Sequence, residues 1–321
     1  MMRNVTNFLV LKQRTVFALF LFELMKQLEI KMARAARRLT RVARHLSTLP
    51  SPPISALVAP GRCAFGGDDW IAAPLLERAV LSHDTIRVSF GLPDRTRPLN
   101  LATCACILAR GGKGGDGEPV VRPYTPTSTN SMLGAFELVV KVYPDGTLSR
   151  AMSEMAIGEA LQFKHVPQNV KVQYPFSASH VAMLVGGTGI TPMVQALHAI
   201  LGTPGDTTVI TMLLGNKTEE DILLRTQLDH WSAAFPDRLR ITHVLSDAPP
   251  PAAAESSWSG ERGFITSELI RTHVPPPAEN PLVMVCGPPP MYDALCGARD
   301  ESALTGTLAA LGYDASQVVK F

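Results

Sequence analysis

The chain has 321 residues, which favours about two domains, since domains usually contain roughly 100–200 residues. Hydrophobic residues make up 46% of it, enough to fill two cores and too many for a largely disordered protein. The net charge of +2, and the lack of a basic stretch interleaved with aromatic residues, argue against a nucleic-acid partner.

The first 69 residues are predicted to be a targeting and linker segment that is removed or disordered. Residues 32–67 contain no Asp or Glu, and arginines recur there at three- and four-residue steps, at Arg34, Arg37, Arg38, Arg41 and Arg44. A helix would gather these charges on one face. An acid-poor amphipathic helix followed by Ser and Pro is typical of a mitochondrial transit peptide, so we expect a mitochondrial protein. The alternative is a disordered basic tail.

The apolar run at residues 16–22 leaves the start of the protein and its membrane attachment open. It is far shorter than the roughly 20 residues that span a bilayer. It is either a marginal signal anchor or sequence upstream of a true start at Met32. An anchor would attach the protein through its N-terminus to the endoplasmic reticulum or the outer mitochondrial membrane. We favour a start at Met32, and we expect a monomer.

Residues 70–178 are predicted to form an antiparallel β-barrel. Short apolar or alternating runs recur, separated by Gly, Pro, Asp and Asn, at residues 75–93, 104–110, 136–143 and 159–165. Several antiparallel strands at this spacing favour a small barrel or sandwich. One helix is predicted at residues 148–155.

Residues 179–321 are predicted to form an α/β domain with a parallel, Rossmann-like sheet. Apolar strands are expected at residues 180–187, 207–216, 238–247 and 282–289. Helices are expected at residues 191–201, 221–235, 266–273 and 291–298, and a Pro/Ala/Ser-rich loop at residues 247–263. Alternating strands and helices imply crossover units, whose ligands bind at the carboxyl ends of the strands.

The first motif with chemical content is Arg-Pro-Tyr-Thr-Pro-Thr-Ser at residues 122–128. An arginine makes charge-assisted contacts to a diphosphate, an aromatic ring can lie against a flavin, and hydroxyl groups can hydrogen-bond the ring edge. The alternative is an ordinary strand end with a proline turn.

The second motif is Gly-Gly-Thr-Gly-Ile-Thr-Pro at residues 186–192, between a predicted strand and a predicted helix. Glycines let the backbone approach a phosphate or ribose, and free N–H groups and the helix dipole attract the anion. The sequence is not the G-x-G-x-x-G fingerprint, so the inference attached to that motif does not transfer. The alternative is a purely structural strand–turn–helix.

The third motif is Cys-Gly-Pro-Pro-Pro-Met at residues 286–291, again after a buried strand. Three prolines stiffen the loop, and the glycine gives a ligand room to approach. The thiol could pack beside a nicotinamide ring without acting as a nucleophile. The alternative is a buried structural cysteine, the usual fate of a free thiol.

Taken in series, the three motifs resemble the ferredoxin-reductase-type flavoproteins, and most closely the NADH–cytochrome b5 reductases. The resemblance covers about residues 70–321. Supporting sequences are found at residues 82–85, 92–93, 139–143, 146–149 and 221–225 and at the C-terminal Phe321. The sequence at residues 164–171 resembles the mitochondrial-type branch. The fold that the resemblance implies is an N-terminal antiparallel β-barrel FAD domain followed by an α/β NAD domain.

The resemblance also implies which residues hold FAD. They are Arg122, Pro123, Tyr124, Thr125, Val139, Lys141, Gly146, Thr147, Leu148, Ser149 and Thr191. Arg122 and Ser149 would hold the diphosphate, Tyr124 would lie against the flavin with Thr125 near its redox-active nitrogen, and Thr191 would close the other side. The family often has Lys at the position of Thr147, so one diphosphate contact is in doubt.

The residues that the resemblance assigns to the nicotinamide nucleotide are Gly187, Thr188, Gly189, Asp247, Cys286, Gly287, Pro288, Met291 and Phe321. Those that it places at the reacting rings are Thr125, Lys141 and Cys286; for Lys141 the alternative is a solvated strand lysine. Ser246 and Asp247 compete for the position that selects NADH. An acid there would repel a 2′-phosphate, which modestly favours NADH.

The activity implied by the resemblance is hydride transfer from NADH to FAD, followed by single-electron transfer to cytochrome b5 or a similar small haem protein. The cofactor supplies this chemistry, so no acid–base dyad is required. One alternative is an NAD(P)H-dependent flavin reductase that serves a quinone or a ferric chelate. Another is a non-catalytic FAD-binding protein, against which the complete loop at residues 286–291 argues.

No metal site is predicted. The five cysteines are scattered, and no second Cys/His pair has ligand spacing, so we expect reduced thiols. Cys104 and Cys106 are expected on one strand, with both side chains on the same face. The eight histidines show no paired spacing and none is assigned to catalysis.

Overall fold

The computed structural model describes residues 53–248 and 258–321. The predicted arginine-rich helix from Arg34 to Arg44 and the apolar run at residues 16–22 lie outside the described residues. Residues 53–321 form one compact unit, which contains two sheets. Among the described residues, no helix is sufficiently long and apolar to cross a membrane.

The first sheet has six strands paired in the order β4-β3-β6-β1-β2-β5, and every neighbouring pair is antiparallel. The strands are β1 Ile71–Val80, β2 Thr85–Gly91, β3 Ile107–Gly111, β4 Val120–Tyr124, β5 Ala135–Lys141 and β6 Ala160–Lys164. The first half of β1 pairs with β6 and the second half with β2, with a register shift between Leu75 and Glu77. A strand that changes partner in this way bends the sheet toward a barrel, as the sequence predicted.

Aromatic rings fill the interior of this sheet. Phe65, Phe90, Phe136 and Phe163 are fully buried, with ring centroids 4.9–5.8 Å apart. The strand residues reach the core because alternate side chains of a strand point to the same face. Helix α1, Thr147–Glu154, packs beside β3 and β4 and buries Leu148 and Met152.

The second sheet is parallel throughout, in the order β10-β9-β8-β7-β11-β12. Its strands are β7 His180–Gly186, β8 Val209–Asn216, β9 Leu239–Leu245, β10 Glu261–Arg262, β11 Leu282–Cys286 and β12 Val318–Lys320. The helices are α2 Ile190–Leu201, α3 Arg225–Ala234, α4 Ser267–His273, α5 Pro289–Leu295 and α6 Gly306–Ala310. The strand order reverses between β7 and β11, and ligands bind at such a switch point in open α/β sheets. The predicted fold class is confirmed.

Two local predictions were wrong, and three short elements were missed. The helix expected at residues 221–235 begins only at Arg225, because Leu224 has φ +58° and Thr218 and Asp221 form a capping box around a short 3₁₀ turn. Strand β3 begins at Ile107, so neither Cys104 nor Cys106 lies on a strand. Cys104 has φ +62° in a turn. The short elements β10, α6 and β12 were not predicted, because their stability comes from pairing or packing with neighbours rather than from a local pattern.

The segment from residue 53 to residue 69 is integrated into the fold. Phe65 is part of the barrel core, and Gly66 forms a bridge with His165. Further back, the Ser55 N–H donates to Nδ1 of His198 on α2 at 2.8 Å. The chain therefore joins the folded unit before residue 70, so residues 55–66 of the predicted targeting and linker segment pack against the rest of the fold.

Candidate active site

Strand β4 contains the first three residues, Arg122 to Tyr124, of the motif at residues 122–128, and it lies at the edge of the barrel sheet. Pro123 is tolerated there because an outermost strand does not need every N–H for pairing. The guanidinium of Arg122 is exposed and donates to the carbonyl of Val121 at 2.8 Å. No carboxylate of the described residues forms an ion pair with it. Arg122 is therefore available to an external anion.

The segment after Arg122 is anchored by hydrogen bonds to strand β5, which follows it in the chain. Tyr124 is half-buried, and burial raises the pKa of its phenol to about 12, so the ring is neutral at physiological pH. Thr125 follows and is also half-buried. The Thr127 N–H donates to the carbonyl of Glu137 at 2.9 Å, and the Glu137 N–H donates to Oγ of Ser128 at 2.9 Å. These bonds hold the segment against β5.

The N-terminus of α1 lies beside β4 and has the properties of an anion site. Neither a side-chain cap nor an acidic residue is present in its first turn. Ser149 Oγ accepts a hydrogen bond from the Tyr143 N–H at 3.4 Å. A Cβ on Gly146 would lie 2.3 Å from that oxygen, so only glycine fits. Thr147 packs against Gly112. Free N–H groups and the helix dipole attract a phosphate.

These features fit FAD. A guanidinium without a carboxylate partner and an uncapped helix N-terminus are suited to a diphosphate. A neutral, half-buried tyrosine ring is suited to a flavin. Leu148 is buried in the barrel core, so it can contribute only backbone to the anion site. Val139 is 4% exposed and belongs to the apolar cluster of the α/β domain, so its side chain lies where the barrel meets that domain.

The two glycine-containing loops of the α/β domain are in direct contact. A Cβ on Gly189 would lie 2.1 Å from the carbonyl oxygen of Cys286, and one on Gly287 would lie 2.5 Å from Sδ of Met291. A Cβ on Gly186 would meet Sδ of Met291 at 2.8 Å. Gly189 is therefore required for close packing of the loops at the ends of β7 and β11, because its Cβ would meet backbone atoms of Cys286.

Gly187 is the glycine that faces open space. A Cβ there would meet nothing within 4 Å, and its φ of +52° suits glycine. It begins a 3₁₀ turn, Gly187–Gly189, which contacts β5 of the barrel. The Thr191 hydroxyl donates to the carbonyl of Thr188 at 3.2 Å. The turn thus presents its backbone at the boundary between the two domains.

Cys286 ends β11 and is half-buried. Burial is the largest influence on its thiol and raises the pKa to about 11, so the neutral form dominates at pH 7. A neutral thiol is a weak nucleophile. Pro288 caps α5 and its neighbours Pro289 and Pro290 open the helix. The side chain of Cys286 is suited to packing against a ligand rather than to attacking it.

The chain terminus lies against the same strand. The Phe321 N–H donates to the carbonyl of Val285 at 3.0 Å, and the Phe321 carbonyl accepts from the Tyr292 hydroxyl. The ring of Phe321 packs on the α/β apolar cluster. The terminal aromatic residue is thereby held beside the loop that follows Cys286.

Lys141 joins the two domains at the end of β5. Its Nζ lies 2.6 Å from Oδ2 of Asp84 on the barrel and 3.5 Å from Oδ1 of Asp221 on the α/β domain. Burial acts to lower the pKa of Lys141, but the hydrogen bonds and charges of the two carboxylates outweigh it and raise the pKa. Burial acts to raise the pKa of Asp84, but Lys141 and Thr85 outweigh it and lower the pKa.

The same cluster has the donor atoms of a metal site. His83, Asp84 and Asp221 offer ligand atoms within 4.8 Å of one another. The ammonium of Lys141 lies where the two carboxylates converge. This position therefore already holds a positive charge, which disfavours a metal cation.

Ser246 and Asp247 follow β9 at the carboxyl edge of the parallel sheet, and both are exposed. Their N–H groups donate to the carbonyls of Asn216 and Lys217, at 3.0 and 2.8 Å. The structure thus places both candidates for nucleotide selection at the expected edge and leaves both side chains accessible.

The structure brings most of the expected residues to two neighbouring surfaces. Sequence reasoning gave no role to Asp84, Asp221 or Gln195, although each contacts the boundary between the domains. Asp84 and Asp221 lay inside sequences that supported the resemblance. Gln195 could have been noticed as an amide on the predicted helix at residues 191–201, whose pattern is mainly apolar.

Two family models match the chain. An oxidoreductase FAD-binding domain matches residues 72–170, and an oxidoreductase NAD-binding domain matches residues 183–297. NADH-cytochrome b5 reductase 2 of Emericella nidulans is 40% identical over 265 residues, which is 80% of this chain and 79% of the relative. The protein of the same name from Kluyveromyces lactis is 40% identical over 263 residues, 80% of this chain and 86% of the relative.

The chain belongs to the NADH-cytochrome b5 reductase family. It is an FAD- and NAD-dependent oxidoreductase of this family. Among solved structures, the cytochrome b5 reductase domain of Ulva prolifera nitrate reductase matches with a TM-score of 0.68 and 30% identity, over 79% of this chain and 97% of that one. The CS-b5R domains of human Ncb5or match with a TM-score of 0.62 and 22% identity, over 78% of this chain and 69% of that one. This second likeness supports the fold but not the function.

Proposed function

We propose that this protein transfers a hydride from NADH to FAD and then passes single electrons to cytochrome b5 or a similar small haem protein. The observation that carries the proposal is the contact between barrel strand β5 and the Gly187–Gly189 turn. It sets the candidate flavin surface and the candidate nucleotide loops against one another. The names of the 40%-identical relatives support the acceptor.

The FAD, when bound, supplies a two-electron acceptor that can release electrons one at a time. The residues of this chain bind and orient the FAD and the nucleotide. Arg122 and the N-terminus of α1 hold the diphosphate, and Tyr124 and Thr125 lie along the flavin. The loops at Gly187–Gly189 and Cys286–Met291 hold the nucleotide. Cys286 stays a neutral thiol that excludes water from the reacting rings.

Lys141 has a further role in this proposal. Its ammonium is held between Asp84 and Asp221, and it lies on strand β5, which contacts the Gly187–Gly189 turn. A nucleotide phosphate or ribose would compete with Asp221 for the same N–H donors. Lys141 therefore links occupancy of the nucleotide site to the contact between the two domains.

The test is stopped-flow reduction of the flavin in the full-length protein. We expect NADH to bleach the flavin band quickly and oxidised cytochrome b5 to be reduced promptly afterwards. Purified protein without flavin, or flavin that neither NADH nor NADPH reduces, would overturn the proposal. Flavin reduction followed by electron transfer only to a quinone or a ferric chelate would replace the acceptor and keep the reductase.

We propose that Asp247 selects NADH over NADPH. Its carboxylate is exposed at the edge where the nucleotide binds, and a 2′-phosphate there would be repelled. Asp247→Ala should raise the NADPH rate relative to NADH roughly tenfold, while Ser246→Ala, the matched neighbour, should leave the ratio unchanged. If Ser246→Ala shifts the ratio and Asp247→Ala does not, Ser246 holds the selecting position.

We propose a mitochondrial location, with residues 32 onwards acting as a transit peptide, supported by their Arg-rich, acid-free sequence. Import into isolated mitochondria followed by N-terminal sequencing tests it. Import with cleavage between Met32 and Ser55 supports the proposal. Carbonate-resistant membrane attachment without cleavage supports the anchored alternative.

We also propose that the FAD and NAD domains divide near residues 178 and 179, and that the protein is a monomer. The division is supported by the family models, which end at residue 170 and begin at residue 183. Sedimentation velocity tests the monomer, since a second species whose proportion rises with concentration would contradict it.

A further inference from the structure

Gln195 is a buried amide in an apolar helix. It lies in the second turn of α2, is 7% exposed, and is surrounded along the helix by buried apolar residues. A buried amide without hydrogen-bond partners destabilises the folded protein. Its position therefore depends on the hydrogen bonds that it makes.

Both ends of this amide bond to the barrel domain. Oε1 accepts from the Cys104 N–H at 2.7 Å, and Nε2 donates to the Pro126 carbonyl at 2.8 Å, with the Ser128 carbonyl at 3.5 Å. None of these partners belongs to the α/β domain. Gln195 is thus a bridge between the two domains.

The bridge connects the two sides of the candidate active site. Helix α2 begins directly after the Gly187–Gly189 turn, so Gln195 moves with that turn. Pro126 lies two residues after Tyr124, in the segment that β5 anchors through Glu137. A single planar amide therefore joins the flavin-side segment to the nucleotide-side helix.

We propose that Gln195 is a positioning residue that sets the spacing between the Tyr124–Ser128 segment and the Gly187–Gly189 turn, and hence the hydride-transfer distance. The inference rests on the proposed function. Hydride transfer depends steeply on the separation and alignment of the rings, and a shift of about 1 Å can cost about a hundredfold in rate. The Cys104 thiol also donates to the Pro192 carbonyl, at 3.2 Å, but a thiol is a weak donor.

The first variant is Gln195→Met in the full-length, FAD-loaded protein. Methionine has a similar length and no hydrogen-bonding amide. We expect hydride transfer to slow roughly ten- to hundredfold, with the NADH dissociation constant within about threefold of wild type, because Gln195 does not line the nucleotide loops. We also expect a weaker charge-transfer absorbance between flavin and nicotinamide.

The matched control is His198→Phe, one turn further along α2. His198 is equally buried and accepts one hydrogen bond from Ser55, but it bonds to the N-terminal linker and not to the flavin-side segment. Its loss should destabilise the protein to a similar extent and leave the hydride-transfer rate within about twofold of wild type. Amide hydrogen exchange gives a readout besides activity. The Cys104 N–H should exchange faster in Gln195→Met and remain protected in His198→Phe.

Gln195→Glu separates positioning from simple stabilisation. An ionised glutamate keeps the acceptor for Cys104 but cannot donate to Pro126, whereas a protonated one restores both bonds. Hydride transfer in Gln195→Glu should therefore recover as the pH falls from about 8 to about 5.5, since burial raises the pKa of a carboxyl. The titratable groups facing this position are the Cys104 thiol, whose pKa burial raises, and His198, whose pKa burial lowers to about 4. Neither changes charge in that range.

The outcomes separate the inference from the proposed function. Wild-type flavin that NADH does not reduce would sink the proposed function whatever the variants do. Rapid reduction of wild type with an equal rate in Gln195→Met would overturn the role of Gln195 and keep the function. Equal slowing of Gln195→Met and His198→Phe, or no recovery of Gln195→Glu at low pH, would also overturn it, since both indicate a general loss of stability.

Discussion

At the residue scale, the ionisable side chains at the site are each held in one protonation state near neutral pH. Lys141 stays charged because two carboxylates raise its pKa, and Asp84 stays charged because Lys141 lowers its pKa. Cys286 stays neutral because burial raises its pKa to about 11. This pattern suits an enzyme whose cofactor performs the chemistry, since no residue needs to exchange a proton.

The ion pair between Lys141 and Asp221 should be detectable as a coupling between the two domains. In a double-mutant cycle with Lys141→Met and Asp221→Asn, we expect a coupling free energy of about 1 kcal/mol in urea unfolding. Burial acts to raise the pKa of Asp221, but the hydrogen bonds from Thr218 and then the charge of Lys141 outweigh it and lower the pKa. The ion pair is therefore complete above the unfolded value of about 3.9 and fades as the pH falls through the folded value. A coupling that does not weaken on acidification below about pH 3.9 would contradict this account.

The thiol of Cys286 should react as a buried neutral group. With a pKa near 11, roughly one thiol in ten thousand is ionised at pH 7, so alkylation by iodoacetamide should be slow. The rate at Cys286, followed by peptide mass spectrometry, should rise about tenfold per pH unit up to about pH 10. Rapid labelling at pH 7 would show an activated thiol and would contradict the packing role of Cys286.

At the element scale, the close approach of two loops defines the nucleotide site. Strands β7 and β11 are parallel neighbours, so their carboxyl ends place Gly189 and Cys286 in contact. The glycines that the sequence presented as ligand-binding turned out to have two different tasks. Gly189 allows the loops to touch, whereas Gly187 faces open space with a positive φ.

Substitution of these two glycines should separate the tasks. A methyl group at Gly189 would meet backbone atoms of Cys286, so Gly189→Ala must push the loops apart, at a cost of about 1–3 kcal/mol. Gly187→Ala meets no atom but strains the backbone by about 1–2 kcal/mol. We expect similar losses in thermal stability, with NADH affinity, measured by titration calorimetry, falling much more for Gly189→Ala. Equal affinities for the two variants would show that loop spacing does not control nucleotide binding.

At the scale of the whole molecule, the two sheets and the segment before β1 are joined by specific polar contacts across an apolar boundary. Gln195 and Lys141 bridge the domains, and Ser55 attaches the N-terminal linker to His198. Val139 and Cys104 of the barrel pack within the apolar cluster of the α/β domain. The described part of residues 53–321 is consequently expected to unfold as one cooperative unit.

Burial of His198 should make the stability of the protein sensitive to acid. Burial lowers the pKa of His198 to about 4, so the folded protein keeps the imidazole neutral and able to accept from Ser55, whereas the unfolded chain takes up a proton. The stabilisation linked to this group is therefore complete above the unfolded value of about 6.5 and is lost as the pH falls to about 4, up to about 3 kcal/mol.

Urea unfolding between about pH 7 and 4.5 provides the measurement. The wild type should lose more stability over this range than His198→Phe, whereas substitution of the exposed His230 should reproduce the wild-type slope. Identical slopes for wild type and His198→Phe would assign the acid sensitivity to other groups.

Local patterns in the sequence were sufficient to predict the two-domain plan of this protein. Alternation with a period of two over residues 136–143, and apolar strands alternating with 3.6-period helices after residue 180, are local patterns, so they predicted β5, β7 and α2 closely. The three motifs predicted FAD and NAD sites because glycine, arginine and proline have local backbone and charge properties that ligands require. The start of α3 was misplaced because the left-handed Leu224 has no signature in sequence.

The contacts between the two domains could not be predicted from the sequence. Gln195 and Pro126 are 69 positions apart, and Lys141 and Asp221 are 80 apart by their numbers, so no periodicity relates them. The packing requirement at Gly189 likewise depends on a strand nearly a hundred residues later. A local pattern reports the conformational preferences of one segment. The partners of the Gln195 amide and the Lys141 ammonium, and the backbone atoms that leave no room for a Cβ at Gly189, are set by the three-dimensional path of the chain.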